Sequence, residues 1–335
     1  MAASYLDHFG GVGYRGVQRM GIGQRAQGSD LMSSDITAET ILTWYEEIRA
    51  TLPKVPPCTH QTQTVQSLDE LAAHYDVFVF DAYGVLNVGE SAIVGAVEAL
   101  ARLQDQGKQV LVLTNGASLS GAQALAKFQQ LGFRLTPEQI ISSRDATIIG
   151  LRRYDAVQRW GFILPEHADA TGLPPEGLWP DHPDFLAAEG YIFLNAAAWD
   201  MSRHEAWVAS LNAHPRPIVL ANPDLVAPYE DRFRVQPGYY CMKRLPTSLH
   251  PWVEPFGKPF HNAFDLVKDA VQRAGLFATP RVLMLGDTLH TDILGGLAAG
   301  FDTALVTDFG AHRGLDLPAC YNTTGIVPHW SLPQL

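Results

Sequence analysis

The sequence predicts an α/β fold: a doubly wound, Rossmann-like parallel sheet with a smaller α/β domain inserted into it. Apolar strand patterns and helical patterns alternate over two stretches, at about 77–81, 92–106, 109–114 and 119–131, and again at 261–275, 281–286, 290–300 and 302–306. Strands that alternate with helices form parallel sheets with helices on both faces. Between these stretches, apolar runs at 162–164, 191–194 and 217–220 predict the sheet of the inserted domain.

The chain is predicted to divide into three parts. Residues 1–60 form a leader, which begins as a flexible Gly-rich segment and continues as an amphipathic helix and a Pro-rich linker. Residues 61–145 and 238–335 form the main domain, and residues 146–237 form the inserted domain, or cap. A GxGxxG pattern at 11–16 follows no predicted strand, so it does not indicate a dinucleotide site.

Composition and charge exclude several classes of protein. With 47% hydrophobic and 18% charged residues, the 335-residue chain resembles an ordinary globular protein. Its net charge of −11 argues against nucleic acid or an anionic membrane as the main partner. No apolar stretch reaches about 18 residues, so no membrane span is expected. The three cysteines are few and scattered, which favours a reducing compartment, and we expect a cytoplasmic protein.

The most informative segment is the apolar run at 77–80, which ends in a lone carboxylate, Asp81, before the chain turns at Gly84. In open α/β sheets, ligands bind beyond the carboxyl ends of the strands. Asp81 is therefore expected at the mouth of a crevice, where an aspartate serves as a nucleophile, a metal ligand or both. The alternative is that Asp81 only caps the turn that follows the strand.

Three later segments also place polar residues at the ends of strands or in a tight loop. They are, in chain order, Thr114-Asn115-Gly116, Lys258, and Asp287 with Asp292. Each has a simpler explanation by itself: a strand-to-helix turn, a surface lysine, or a helix cap. Because all the segments occur in one chain, in order and at the ends of elements, they favour a shared site.

This order of strand-Asp, strand-Thr, loop-Lys and strand-Gly-Asp-Thr-Asp resembles the four-motif signature of the haloacid dehalogenase (HAD) superfamily, over about residues 67–312. Phosphoryl transfer needs an in-line nucleophile and neutralised phosphate oxygens. The resemblance implies Asp81 as nucleophile, Lys258 as the neutralising cation, and phosphate contacts from Thr114, Asn115 and Gly116. It also implies Mg²⁺ as cofactor, with these ligands: Asp81, the Tyr83 backbone carbonyl, Asp287 and Asp292.

The position of the insertion, between Thr114 and Lys258, resembles the class IIA branch, which includes para-nitrophenylphosphatase-like proteins. The segments at 141–147 and 222–224 are similar to the passages that lead into and out of the cap of that branch. The resemblance implies that cap loops, including Asn222 and Asp224, contact a small phosphorylated substrate. It also implies a homodimer formed through the cap.

Tyr83 departs from the pattern, because HAD phosphatases usually have a second aspartate there as general acid and base. The Asp-x-Tyr form looks like that of 2-haloacid dehalogenases, in which the aspartate attacks carbon and no leaving-group acid is needed. The Gly-Asp…Thr-Asp form at 286–292 and the cap position favour a phosphatase that works through an aspartyl-phosphate. Two alternatives stay open: a dehalogenase-like hydrolase, and a metal- and phosphate-binding protein with weakened catalysis.

Overall fold

The computed structural model describes residues 36–166, 168–229, 232–276 and 278–335. Within these residues the main sheet has seven strands, and every neighbouring pair is parallel. Their spatial order is β1 (Gln63–Thr64), β15 (Trp330–Leu332), β14 (Asp302–Val306), β13 (Val282–Gly286), β2 (Val77–Phe80), β5 (Gln109–Thr114) and β6 (Ile140–Ser142). The Gly-rich start of the predicted leader, with its GxGxxG pattern, lies outside the described residues.

Helices cover both faces of the main sheet. They are α2 (Asp69–Ala72), α3 (Ala96–Asp105), α4 (Gly121–Gln130), α7 (His261–Ala274), α8 (Leu294–Ala299) and α9 (Leu317–Thr324). Alternate side chains of β2 point to opposite faces, as in any strand. Phe78 and Phe80 lie in one apolar cluster with Leu103 of α3, whereas Val77 and Val79 lie in another with α7. The predicted doubly wound α/β fold is therefore confirmed.

The cap contains a second parallel sheet, in the order β12 (Val253–Pro255), β9 (Ile218–Leu220), β8 (Gly190–Phe193) and β7 (Trp160–Ile163). Helices α5 (Ser143–Leu151) and α6 (Met201–Ala213) accompany it. The predicted cap boundary at residue 237 precedes β12, which pairs with β9. By this sheet membership, we propose that the cap extends to about residue 255.

Two antiparallel hairpins complete the strands: β3 (Asn87–Val88) with β4 (Ser91–Ala92), and β10 (Val226–Tyr229) with β11 (Arg232–Val235). Buried and exposed side chains alternate along the second hairpin, as in a sheet with one face in solvent: Val226 and Phe233 are buried, whereas Arg232 and Arg234 are exposed. No strand is predicted there from the sequence, since no long apolar run marks it.

Helix α1 (Ala38–Glu47) joins the main domain to the cap. It begins after Thr37, whose side chain accepts a hydrogen bond from the Thr40 N–H, and a short 3₁₀ turn follows it. Its buried Tyr45 lies in an apolar cluster with Phe193 of the cap and Ile293 of the main domain. The amphipathic helix predicted in the leader is thus present, as Ala38–Glu47 with the 3₁₀ turn Arg49–Thr51, and it is a packed element of the fold.

None of the helices in the described ranges is long and apolar enough to cross a membrane.

Candidate active site

The carboxyl ends of β2, β5 and β13, which are neighbours in the sheet, bring the first polar residues together. Asp81 follows β2, and its N–H donates to the Leu285 carbonyl of β13 at 2.8 Å, so the strand pairing extends to the residue itself. Thr114 ends β5, and Asp287 follows β13 directly. These buried strand ends form what we call the floor of a cleft.

Three floor carboxylates, those of Asp81, Asp287 and Asp292, each place an oxygen within 4.8 Å of the others. Asp292 lies in the π-helical turn Leu289–Ile293, and its Oδ2 accepts a hydrogen bond from the Thr288 N–H at 3.0 Å. The Lys258 ammonium, 2% exposed, is paired with Asp81 and lies 2.7 Å from Asp292 Oδ1. The structure therefore brings the predicted nucleophile, the three predicted carboxylate ligands and the predicted lysine into one cluster.

The electrostatics of this cluster favour a bound cation. Burial raises the pKa of Asp81 well above its usual range, although Lys258 acts in the opposite direction. Burial also raises the pKa of Asp287 to about 7, and Asp292 adds to the increase. Burial alone would lower the pKa of Lys258, but Asp292 and Asp81 outweigh it and raise this pKa. Three carboxylates share one ammonium, so the cluster has an excess of negative charge that a divalent cation would relieve.

Two glycines permit the close approach of these carboxylates. Gly84 has a positive φ of 81°, and a Cβ at that position would lie 2.4 Å from Asp287 Oδ2. A Cβ on Gly286 would lie 2.0 Å from the Cβ of Asp292. Any larger residue at either position would push a floor carboxylate out of place.

Asn115 connects the floor to the Lys258 loop. Its Oδ1 accepts a hydrogen bond from the Lys258 N–H at 2.7 Å, and its Nδ2 donates to the Lys258 carbonyl at 2.9 Å. The same Nδ2 donates to Asp224 Oδ1 at 2.8 Å, in a turn where Asn222 Oδ1 accepts from the Asp224 N–H. The Asn115 side chain therefore holds other site residues in place, whereas the Gly116 N–H donates to Thr114 Oγ1 at 3.1 Å.

A cleft of about 510 Å³ lies above the floor. Its opposite wall, which we call the roof, consists of cap residues from 195–197, 222–224, the β10–β11 hairpin and Gln236. Burial raises the pKa of Asp224 in the roof to about 6. Floor and roof together enclose a volume in the range of small-molecule sites. Asn222 and Asp224, predicted as substrate contacts, line this cleft, while Asn222 Nδ2 also donates to Gln236 Oε1 at 3.2 Å.

Two family models match the chain, one over the first part of the main domain and the start of the cap, and the other over the last part of the main domain. The model described as haloacid dehalogenase-like hydrolase matches residues 78–171, and the model described as HAD-hydrolase-like matches residues 255–331. The first match contains Asp81 and Thr114, and the second contains Lys258 and Asp287. The chain belongs to the haloacid dehalogenase-like hydrolases.

Known relatives of this HAD-like hydrolase include named phosphatases. Phosphoglycolate phosphatase 1A of Arabidopsis thaliana is 24% identical over 298 residues, which cover 78% of this chain and 76% of the relative. Glycerol-3-phosphate phosphatase of Homo sapiens is 29% identical over 294 residues, which cover 79% and 90%. A crystal structure of a possible sugar phosphatase of the HAD superfamily from Cytophaga hutchinsonii has a TM-score of 0.72 at 26% identity, over 82% of this chain and 98% of that one.

Tyr83 of this HAD-like hydrolase lines the cleft beside Asp81, and its hydroxyl has a partner that the sequence does not reveal. Lys127 of α4 donates a hydrogen bond to Tyr83 Oη at 2.9 Å and forms an ion pair with Glu90 at 3.2 Å. Nothing in the helical pattern of α4 distinguishes Lys127 from a surface lysine, so only the packing of α4 could reveal it.

Whereas the Tyr83 hydroxyl has a hydrogen-bond partner, the backbone groups of Tyr83 take no part in the hydrogen bonds of the turn around it. A parallel bridge joins residues 83 and 87 through two hydrogen bonds, from the Asn87 N–H to the Ala82 carbonyl and from the Gly84 N–H to the Asn87 carbonyl. Both bonds flank residue 83 and use neither of its own backbone groups. The Tyr83 carbonyl is therefore not engaged by this bridge, as a metal ligand would require.

Proposed function

We propose that this hydrolase is a Mg²⁺-dependent phosphatase that acts on a small phosphorylated metabolite through an aspartyl-phosphate on Asp81. The observation that carries the proposal is the cluster of Asp81, Asp287 and Asp292 around one buried ammonium at the ends of adjacent strands. Its relatives include phosphatases named for phosphoglycolate and glycerol 3-phosphate, which are both small phosphomonoesters, and this supports the substrate class.

The donor set fits Mg²⁺, which prefers hard oxygen ligands. Asp81, Asp287 and Asp292 would hold the ion directly or through water, together with the Tyr83 backbone carbonyl. When bound, Mg²⁺ would neutralise phosphate oxygens and help to align the phosphate with the nucleophile.

The chain's own residues supply the remaining steps. Asp81 attacks phosphorus, the bond from phosphorus to the ester oxygen breaks, and an acyl phosphate forms on Asp81. Lys258 offsets the charge of the carboxylate and the phosphate, and the Thr114 hydroxyl with the Asn115 and Gly116 backbone contacts phosphate oxygens. The leaving ester oxygen takes up a proton and departs as an alcohol; water then attacks phosphorus, gives up a proton in its turn, releases phosphate and restores the Asp81 carboxylate. The Tyr83 phenol is the acid nearest in sequence to the nucleophile, in the place of the usual second aspartate.

The test combines a panel of phosphomonoesters with 2-chloropropionate, in Mg²⁺ or in EDTA. We expect phosphate release that requires Mg²⁺ and falls at least about 10³-fold in Asp81→Asn, because the nucleophile is lost. Asp69→Asn is the matched control: Asp69 is half exposed and pairs with Arg102 at 3.2 Å, so its removal should leave the rate within about twofold.

Two other results would replace the proposal. Chloride release that persists in EDTA would place the chain with the carbon-attacking dehalogenases, which the Asp-x-Tyr form of its motif resembles. If neither product forms, while Mg²⁺ and phosphate together raise the melting temperature, the chain is a binding protein with weakened catalysis.

A further inference from the structure

Arg234, which the proposed mechanism does not use, lines the cleft from the roof. It lies on β11 opposite Ala227 of β10, and it is exposed. Its guanidinium carbon lies 3.3 Å from the centroid of the Tyr229 ring, so the planar group stacks on the ring. Stacking uses the faces of a guanidinium and leaves its N–H edges able to bind an oxyanion in a bidentate way. The hairpin thus presents an oriented positive charge to the cleft.

The position of this charge is distinctive. Among the described residues that line the cleft, Arg234 is the basic one, and most of the other polar roof residues are neutral: Asn195, Asn222, Tyr229 and Gln236. The Lys258 ammonium belongs to the floor, where it is buried and already paired with Asp81 and Asp292. Positive charge is therefore available at two separate levels, one below the phosphate and one on the cap side.

The positive charges of the floor and the roof would contact different parts of a bound substrate. A phosphate at the floor would be neutralised there by Lys258 and a cation, and the cleft of about 510 Å³ is larger than a phosphate alone requires. The rest of the molecule would extend towards the roof. An anionic group at that end would face the acidic residues Asp224 and Glu90 in the cleft lining, so it would need a cation of its own.

Building on the proposed function, we propose that Arg234 binds a second anionic group of the substrate, a carboxylate or a second phosphate. The chain then selects phosphomonoesters with two anionic groups over neutral phosphorylated alcohols. The substrates named for its relatives differ in this respect, because phosphoglycolate carries a carboxylate whereas glycerol 3-phosphate ends in hydroxyls. With Arg234 in this role, the chain would act on substrates that carry a second anionic group, as phosphoglycolate does.

The experiment compares kcat/KM for matched pairs of esters with Mg²⁺ present. One pair is 2-phosphoglycolate and 2-hydroxyethyl phosphate, and the other is 1,3-propanediol bisphosphate and 3-hydroxypropyl phosphate. The wild-type protein should prefer the doubly anionic member of at least one pair by more than about tenfold, the effect of a charge-assisted bidentate contact. The pair that shows the preference tells carboxylate from phosphate.

In Arg234→Gln, the preference should fall to within about twofold, while Arg234→Lys should keep part of it because the charge remains. Arg232→Gln is the matched control: it removes a charge from the same strand, but Arg232 does not line the cleft, so the preference should persist. Melting temperatures within a few degrees of the wild-type value would show that the variants are folded.

Equal kcat/KM values within both pairs, with hydrolysis of all four esters, would overturn the role of Arg234 and leave the proposed phosphatase intact. If no ester is hydrolysed, the proposed function fails. The role of Arg234 is then tested separately, by measuring how tightly the esters bind. Calorimetry on the Mg²⁺-loaded wild-type protein would then compare the members of each pair. At least tenfold tighter binding of the doubly anionic member, lost on adding Arg234→Gln, supports the second anion site, and equal affinities overturn it.

Discussion

The floor and the roof of the cleft are built in different ways. The floor carboxylates are buried, and Asp287 is also held by hydrogen bonds that it accepts from the Thr288 hydroxyl and the Ala311 N–H at 2.8 and 3.1 Å. The roof is a hairpin with an exposed face, where Arg234 is oriented mainly by the Tyr229 ring. In the proposed function, the chemical step would depend on rigid strand ends, whereas substrate selectivity would depend on an exposed surface that tolerates substitution.

The roof is nevertheless supported from behind by α1. Tyr45 Oη accepts a hydrogen bond from the Leu225 N–H at 3.2 Å, and the Tyr45 ring stacks on His290 at 4.9 Å. Glu46 contacts His290 Nε2 at 2.7 Å. His290 lies in the same π-helical turn as Asp292, so one helix contacts both the start of the roof hairpin and the turn of the floor that carries Asp292.

The largest effect on stability is expected at the floor. Replacing Lys258 with Met at pH 8 leaves buried carboxylates without their partner, and the free energy of unfolding should fall by about 3–5 kcal/mol in EDTA. Mg²⁺ should recover part of the loss, because it neutralises the same carboxylates. Urea denaturation with and without Mg²⁺ measures both quantities.

Lys268→Met is the control for that change, since Lys268 is an exposed lysine over the Phe301 ring at 5.8 Å, and its removal should cost less than about 1 kcal/mol. A loss at Lys258 no larger than this would mean that the floor carboxylates do not depend on its charge.

A smaller effect is expected from a buried histidine of the cap, His204. Burial, assisted by the Arg244 guanidinium, lowers the pKa of His204 from 6.5 to about 4 in the folded protein. The unfolded chain therefore binds more protons between these values, so the stabilising contribution is complete above pH 6.5 and is lost as the pH falls towards 4. The shift corresponds to roughly 3 kcal/mol.

The measurement is the slope of unfolding free energy against pH between 4.5 and 6. In His204→Phe this slope should be smaller than in the wild-type protein by the equivalent of about one bound proton, because the titrating group is gone. Equal slopes in the wild-type and His204→Phe proteins would contradict the assignment.

The smallest effect is expected at the support of the roof. Tyr45→Phe removes the acceptor of the Leu225 N–H and should reduce the unfolding free energy by about 1–2 kcal/mol, because a buried donor loses its partner. Faster amide hydrogen exchange at Leu225 would locate the change in the roof. Tyr239→Phe tests the loss of a hydroxyl from a second buried ring, which packs on Trp44 at 4.9 Å, and should leave that exchange rate unchanged.

Other sequence predictions stay untested by the structure. The cytoplasmic location and the homodimer remain predictions, as do the individual roles of Asn222 and Asp224 towards substrate. The start of the predicted leader lies outside the described residues, but its predicted helix turns out to be the support of the roof. The helical pattern indicates an amphipathic element, and only the packing of Tyr45 shows what its apolar face covers.

The sequence by itself predicted four of the seven strands described in the main sheet, the helices that alternate with them, and the composition of the floor. Short stretches of sequence indicate these features. An apolar run predicts a strand, and a polar residue at its end, such as Asp81 or Asp287, is predicted to lie at the carboxyl edge of the sheet. Only the tertiary structure decided that Lys127 contacts Tyr83, that α1 supports the roof and that Arg234 stacks on Tyr229 inside the cleft. These contacts join residues through helix packing and hairpin register, which short-range sequence patterns do not encode.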